Sequence, residues 1–438
     1  MKEDQFGVRH SVSSDAALRH FDQAVEQLLV LRNPVPQLDR ALALEPGFVS
    51  AQALRGLLGI LGTEKSQLPG ALEALAAGRK ALAGASERER LHLEAIDAWG
   101  GGRFADACAT WERILLEEPR DALAMYAAHQ GDFFLGQSSE LRDRVARRLP
   151  LLERHSRLAG YYHGMLSFGL EETGLYAQAE EAGVRAVESD PRDSWAVHAV
   201  AHVYEMTNRL REGELWLLDR VPDWTEDNFF AVHNWWHLAL YYFDAERWED
   251  ALRLYDTSIR GGESAVVLDM IDASGLLWRL NLHGVDVGSR WDPIADRWQA
   301  LIDDAWYAFN DIHAAIALAG AGRTEALDRL DAALVRAAES QTDNGEMARR
   351  VGIPVVRAIR AYTAGDYRTA VDLLLPVRTV AARGGGSNAQ RDLISLTLLA
   401  AAWHAGEGAL ARALVNERLQ LKPLSGINRA WLGKWRTH

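Results

Sequence analysis

The sequence predicts an all-α protein, a right-handed α-α superhelix (solenoid) of stacked helical hairpins, and three observations predict it. A glycine turn followed by small and large apolar residues at helical spacing returns along the chain. Apolar segments about a dozen residues long precede several of these turns, as the first helix of a hairpin would. No stretch keeps the period-two alternation of a half-buried strand. With 438 residues the chain exceeds one ordinary core, so it must divide or grow by repetition. Hydrophobic residues make up 48% and charged residues 25%, ordinary for a folded chain, and Ala, Leu, Arg and Glu, all good helix formers, are abundant. No shift in composition marks a boundary. The chain therefore reads as one solenoid over 1–438, with N-terminal helices in 1–95, regular repeats in 96–262, and irregular and C-terminal repeats in 263–438.

The repeat is clearest at Gly102–Pro119, where Phe104, Ala107, Trp111 and Ile114 follow the glycine and Pro119 closes the unit. Stacked hairpins need a small residue where two helices cross closely, a large one a turn later, and a breaker at the end. Gly174–Pro191 supplies Tyr176, Ala179 and Ala186 in the same order. Arg247–Ile259 (Trp248, Ala251, Tyr255), Gly322–Leu334 (Ala326, Leu330) and Gly365–Pro376 (Tyr367, Ala370, Leu374) continue it. Trp195–Met206 and Val232–Phe243 serve as first helices, which fits the ~34-residue tetratricopeptide unit. The β-branched run Ala265–Leu268 leads directly into helical periodicity, so almost no sheet is expected. Gly384-Gly385-Gly386 has no strand before it and reads as a flexible connector, not a phosphate loop.

Charge excludes some partners. The 48 basic residues stand against 61 acidic ones, a formal −13, and no basic block interrupts that balance. Nucleic acid and anionic membrane surfaces are therefore not expected partners. No apolar run reaches the ~20 residues that cross a bilayer. The polar start, Met1 to Gln5, lacks the apolar stretch of a secretory signal, so the expected location is the cytoplasm. Cys108 is the only cysteine, which excludes internal disulfides and cysteine-built zinc or iron–sulfur sites.

Chemistry concentrates in the middle repeats. Phased from Ala179 and Pro191, the residues His198, His202 and Glu205 fall on one stripe of a first helix, on the side that lines the groove of such arrays. The next hairpin offers His233 and His237, again four apart. Two facing His pairs beside a carboxylate suit a divalent transition metal such as zinc, iron or manganese, with His198, His202, His233, His237 and Glu205 as candidate ligands. The same four histidines suit acid–base catalysis, since imidazole titrates near neutral pH. They also suit ordinary packing, each ring bonded to one neighbour. Ten of the 15 tryptophans lie between Trp195 and Trp306, so most must be core, but Trp195 and Trp236 stand where an indole can grip a ligand.

Beyond this point Asp269, Asp272 and Arg279 share one face of an apolar helical run. Charges so placed must find partners, and they can bind a ligand, form an Asp272–Arg279 bridge, or sit at the surface. Asp311 and His313 bring another acid and imidazole on a later first helix.

These stretches resemble the tetratricopeptide repeat protein 38 family. The likeness runs through Asp193–Met206, His233-Asn234-Trp235-Trp236-His237, Asp269–Arg279, Phe309–His313 and Gly385–Asp392, with Gly164–Glu172 and His129–Asp132 earlier. Gln130 departs from the acid that usually follows the position of His129. The family is named for its fold, and the resemblance implies no settled reaction. It implies that the histidine pairs, the Asp269–Arg279 helix and the polar set Asn388, Gln390, Arg391 and Asp392 belong to one signature, with His129 on its margin.

Two functions of different class follow. One is a recognition module that holds a small molecule or peptide in its groove at the His/Trp-rich centre, the commonest use of such scaffolds. The other is a hydrolase- or lyase-type enzyme whose histidines hold a metal or move protons. A thiol nucleophile is not expected, because Cys108 lies in a packing segment, and no elbow motif supports a serine triad.

Overall fold

The computed structural model describes residues 1–152 and 157–434. Helix dominates: the only paired strands among the described residues are Lys2–Glu3 and Arg9–His10, with a lone bridge between Arg32 and Asn228. The all-α expectation holds. No helix among the described residues is long and apolar enough to cross a membrane.

The repeated glycines share one task. Gly102, Gly174, Gly322 and Gly365 adopt φ of 77, 79, 69 and 80° just after a helix, where any side chain is strained. At the first of these turns the Gly102 N–H meets Trp99 O at 2.8 Å and the Arg103 N–H reaches back to Ala98 O at 2.9 Å, satisfying carbonyls that a helix end leaves bare. The turns at Asn208 (φ 58°) and Glu246 (φ 57°) close the same way without glycine. There the N–H groups of Arg209 and Arg247 bond Tyr204 O and Tyr242 O, both at 2.8 Å. Each arginine then lays its guanidinium over that same tyrosine ring, at 4.6 and 4.1 Å. A cation–π contact thus clasps both turns.

The helices after these turns bury the expected stripe: Phe104, Ala107, Trp111 and Ile114 in Phe104–Glu117, Ala326 and Leu330 in Thr324–Ala338, and Ala370 and Leu374 in Tyr367–Val377. One differs. The helix expected over Arg247–Ile259 is regular only for Trp248–Leu254 and then widens into a π turn at Tyr255–Ile259.

The chain divides into two compact units, Met1–Val200 with Val221–Ala231, and Ala201–Arg220 with Val232–His438. The division crosses the Ser194–Met206 helix, where composition gives no sign of it. In the first unit successive helices pack as neighbours, Glu87–Gly100 on Phe104–Glu117 and Arg157–Glu172 on Tyr176–Ser189, around Trp99, Trp111, Tyr162 and Phe168.

Six helices of the second unit position the histidine pairs and their partners: α1 (Ser194–Met206, from Ala201 onward), α2 (Ala231–Asp244), α3 (Val267–Leu282), α4 (Ala308–Gly320), α5 (Asn388–His404) and α6 (Gly408–Leu421). The α3 helix packs on α4 and α5, and α5 on α6. The unit's tryptophans are largely core: Trp278 Nε1–H donates to Thr397 Oγ1 at 2.8 Å and Trp298 Nε1–H to Ser274 Oγ at 2.9 Å. Glycines 384–386, expected as a flexible connector, form a buried turn instead. Gly386 has φ 77°, and a Cβ placed there would meet the Phe309 ring at 2.5 Å. Close approach of backbone to an aromatic ring, not looseness, explains this glycine.

Candidate metal centre

Helical spacing puts His233 and His237 on one face of α2, and His202 and Glu205 on one face of α1. In the folded unit these faces meet. The His202 and His237 rings lie 4.3 Å apart, and one ring nitrogen from each of His202, His233 and His237 lies within 4.8 Å of the others. His202 and His237 are fully buried, and the His233 side chain is 12% exposed.

The hydrogen bonds fix which nitrogens face inward. His233 Nδ1 donates to Asp272 Oδ2 at 2.8 Å, and His237 Nδ1 donates to Glu205 Oε2 at 3.2 Å. Since a carboxylate only accepts, each Nδ1 carries a proton, which makes Nε2 the lone-pair position of each ring in its neutral form. Those two Nε2 atoms point at each other, 3.2 Å apart. Two lone pairs at that distance repel unless a proton or a metal ion lies between them. Burial disfavours the proton: it pushes His237 below its ordinary range against the pull of Glu205, and pushes His202 well below it. A carboxylate behind Nδ1, as His233 and His237 both have, is a common outer partner of metal-binding histidines.

Glu205, expected among the ligands, stands behind the ring: Oε2 holds His237 while Oε1 meets Lys422 Nζ at 3.1 Å. Burial opposes its charge, yet Lys422 and the His237 hydrogen bond outweigh burial and hold the carboxyl below the ordinary carboxylate range. Trp236 does not line an open groove. It is 1% exposed, stacks on His233 at 5.2 Å and carries the Arg279 guanidinium 5.4 Å from its ring centre.

Histidines in simpler surroundings show the contrast. His92 Nε2 bonds Asp121 Oδ2 at 3.0 Å, and His10 bonds Ser50 and Asp4 at 2.8 and 3.0 Å. Each of those rings reaches oxygen partners, with no second imidazole opposed to it.

The other expected residues divide. Asp272 is buried beside His233, and its Oδ1 has no hydrogen-bond partner among the described residues. Arg279 does not bridge to Asp272; its NH1 donates to Gly275 O at 2.9 Å and its NH2 to Ala389 O at 2.6 Å, which ties α3 to the start of α5. Asp269 is half-buried, and burial lifts its carboxyl to about 6. His313 Nδ1 donates to Phe309 O at 2.8 Å, and burial lowers the ring to about 4. Burial lifts Asp311 to about 8, with one oxygen unpartnered among the described residues.

Asn388, Gln390, Arg391 and Asp392 lie at the start of α5, not in a connector. There Ser387 and Gln390 make a reciprocal capping box, Arg391 bonds Asn388 at 2.8 Å, and Asp392 pairs with Arg418 at 2.9 Å. In the first unit, His198 packs among Phe168, Trp195 and Phe230 at 5.3, 5.1 and 4.9 Å. His129 lies 5.5 Å from Trp195, and neither its ring nitrogens nor Trp195 Nε1 has a partner among the described residues.

Two residues at the second unit's centre are not among the expected site residues. Lys422 is a single lysine after a helix, and Asn234, fully buried with an amide unpartnered among the described residues, lies between His233 and Trp235. A search against models of known protein families finds no match to this chain.

Proposed function

We propose that this chain binds a small molecule at a mononuclear transition-metal centre held by His202, His233 and His237. The observation that carries it is the opposed Nε2 pair at 3.2 Å, with both Nδ1 atoms committed to carboxylates. Two nitrogens bonded to one tetrahedral ion at ~2.0–2.1 Å each stand ~3.4 Å apart, so the rings already have the spacing of a ligated pair. An all-imidazole set suits zinc or iron(II) better than manganese, which prefers oxygen. Three ligands leave a position for a water or a ligand atom.

The scaffold reading belongs to the same proposal. A right-handed tetratricopeptide-type superhelix, and kinship with the tetratricopeptide repeat protein 38 family, draw support from the recurrent turns at Gly102, Gly174, Asn208, Glu246, Gly322 and Gly365.

One observation favours a second, catalytic reading of hydrolase or lyase type. Asp272 holds His233 with one oxygen while the other, buried, has no partner among the described residues. A bound zinc or iron(II) ion would lower the pKa of a coordinated water. The second oxygen of Asp272 would be placed to accept a proton beside such an ion.

Elemental analysis of the purified chain tests the proposal. One equivalent of zinc or iron per chain, lost in His233→Ala and His237→Ala while helicity is retained, is expected. Wild-type protein without metal after dialysis against zinc or iron(II) contradicts it.

A further inference from the structure

Lys422 follows α6 directly and lies far along the chain from α1, yet its Nζ stands 3.1 Å from Glu205 Oε1. Both side chains are largely enclosed, 14% and 7% exposed. Glu205 is thus gripped from two sides, by an ammonium on one oxygen and by the His237 Nδ1–H on the other, 3.2 Å away. Lys422 is itself held in place by its surroundings. Four residues earlier, Arg418 clamps Asp392 and donates from Nε to Asn428 Oδ1 at 2.8 Å; three residues later, Ser425 Oγ–H meets Asp244 Oδ1 at 3.2 Å. The segment beyond α6 is therefore pinned on both flanks of Lys422. A small polar cavity bounded by Glu205, Asp244, Arg279 and Lys422, with room for about one water, adjoins the contact.

A carboxylate can turn about its last torsion and offer either oxygen to any donor. With one partner Glu205 has no fixed orientation toward the ring. With two partners on opposite oxygens its plane is set, and the ring it holds is set with it.

We propose that Lys422 is a positioning residue of the metal centre: by fixing Glu205 it fixes the His237 ring, so that Nε2 is presented to the ion. The inference rests on the three-histidine centre proposed for this chain. It makes the segment after α6 a determinant of metal affinity although no residue in it touches the ion.

Zinc competition against a chromophoric chelator, on the metal-free full chain, tests it. Lys422→Met should weaken zinc by ~10–100-fold, the usual effect of losing an outer partner of a ligating histidine, and Lys422→Arg should restore most of the affinity. The visible spectrum of the cobalt(II) form should change in Lys422→Met as it does in Glu205→Gln, which a merely structural loss elsewhere would not produce. In the Glu205→Gln background, Lys422→Met should cause no further loss, and this arm stands if Lys422→Met alone folds poorly.

Wild-type affinity in Lys422→Met, or a full additional loss in the Glu205→Gln background, overturns the role of Lys422 and leaves the metal centre standing. A wild-type chain that takes up no zinc, or whose uptake is indifferent to His237→Ala, overturns both.

Discussion

His233 and His237 oppose their Nε2 atoms at 3.2 Å while their Nδ1 atoms are held by carboxylates from different helices, Asp272 of α3 and Glu205 of α1. One helix supplies both rings at four-residue spacing, and two others aim them. Asp272 therefore orients the His233 ring, a ligand of the proposed metal centre. Asp272→Ala should lower zinc affinity by ~10–100-fold with little change in helicity, and Asp272→Asn, which can still accept from Nδ1–H, should lose less. Equal and full affinity in both variants, measured by chelator competition, would show that the ring needs no carboxylate.

Two buried groups should give the metal-free protein opposite pH responses. Burial lowers His313 to about 4, below its unfolded value of 6.5, so the unfolded state binds the extra proton between those values and wild-type stability falls as pH falls through that window. His313→Gln should remove this loss. Burial raises Asp311 to about 8 from an unfolded 3.8, so the folded state holds the extra proton and stability falls as pH rises from 3.8 to about 8. Asp311→Asn should match wild type near pH 3 and gain on it by up to about 1.4 kcal/mol per pH unit toward pH 8. Urea denaturation of the variants across pH reads both slopes; parallel profiles would contradict the assignment.

The buried glycine turn before α5 makes a sharper claim about stability. Gly386→Ala introduces a Cβ that meets the Phe309 ring at 2.5 Å on a backbone at φ 77°. A loss of ~2–4 kcal/mol is expected, from overpacking plus left-handed strain. Gly70, where an added Cβ would meet nothing within 4 Å beyond its own helix, is the control, and Gly70→Ala should change stability little or raise it. Comparable thermal midpoints for the two variants would show that the turn is loose after all.

The helical class was legible because its causes are local. A left-handed turn needs glycine or a close substitute, and a stacked helix needs small and large residues in fixed order, so Gly102, Ala107 and Trp111 announce their places. The histidine pairs were legible for a similar reason, since four-residue spacing forces two side chains onto one helix face whatever surrounds it. Their orientation was not. Which nitrogen faces inward depends on Asp272 and Glu205 arriving from other helices, and Lys422 reaches Glu205 from 217 residues away with no periodicity to mark it. Local chemistry also misled: Asn388, Gln390, Arg391 and Asp392 suggested a ligand loop, but the Ser-x-x-Gln spacing of Ser387 and Gln390 is a helix start, and the capping box and the Arg418 pair use these side chains. The π turn at Tyr255–Ile259 left no sign in the repeat pattern, because a single widened turn hardly shifts the apolar spacing.

X-ray absorption at the metal edge of the zinc-loaded chain tests the central claim most directly. The account predicts a single site with imidazole nitrogens at ~2.0–2.1 Å, whose imidazole count falls by one in His202→Ala. A shell made of oxygens alone, or one unchanged when His202 and His237 are replaced, would contradict it.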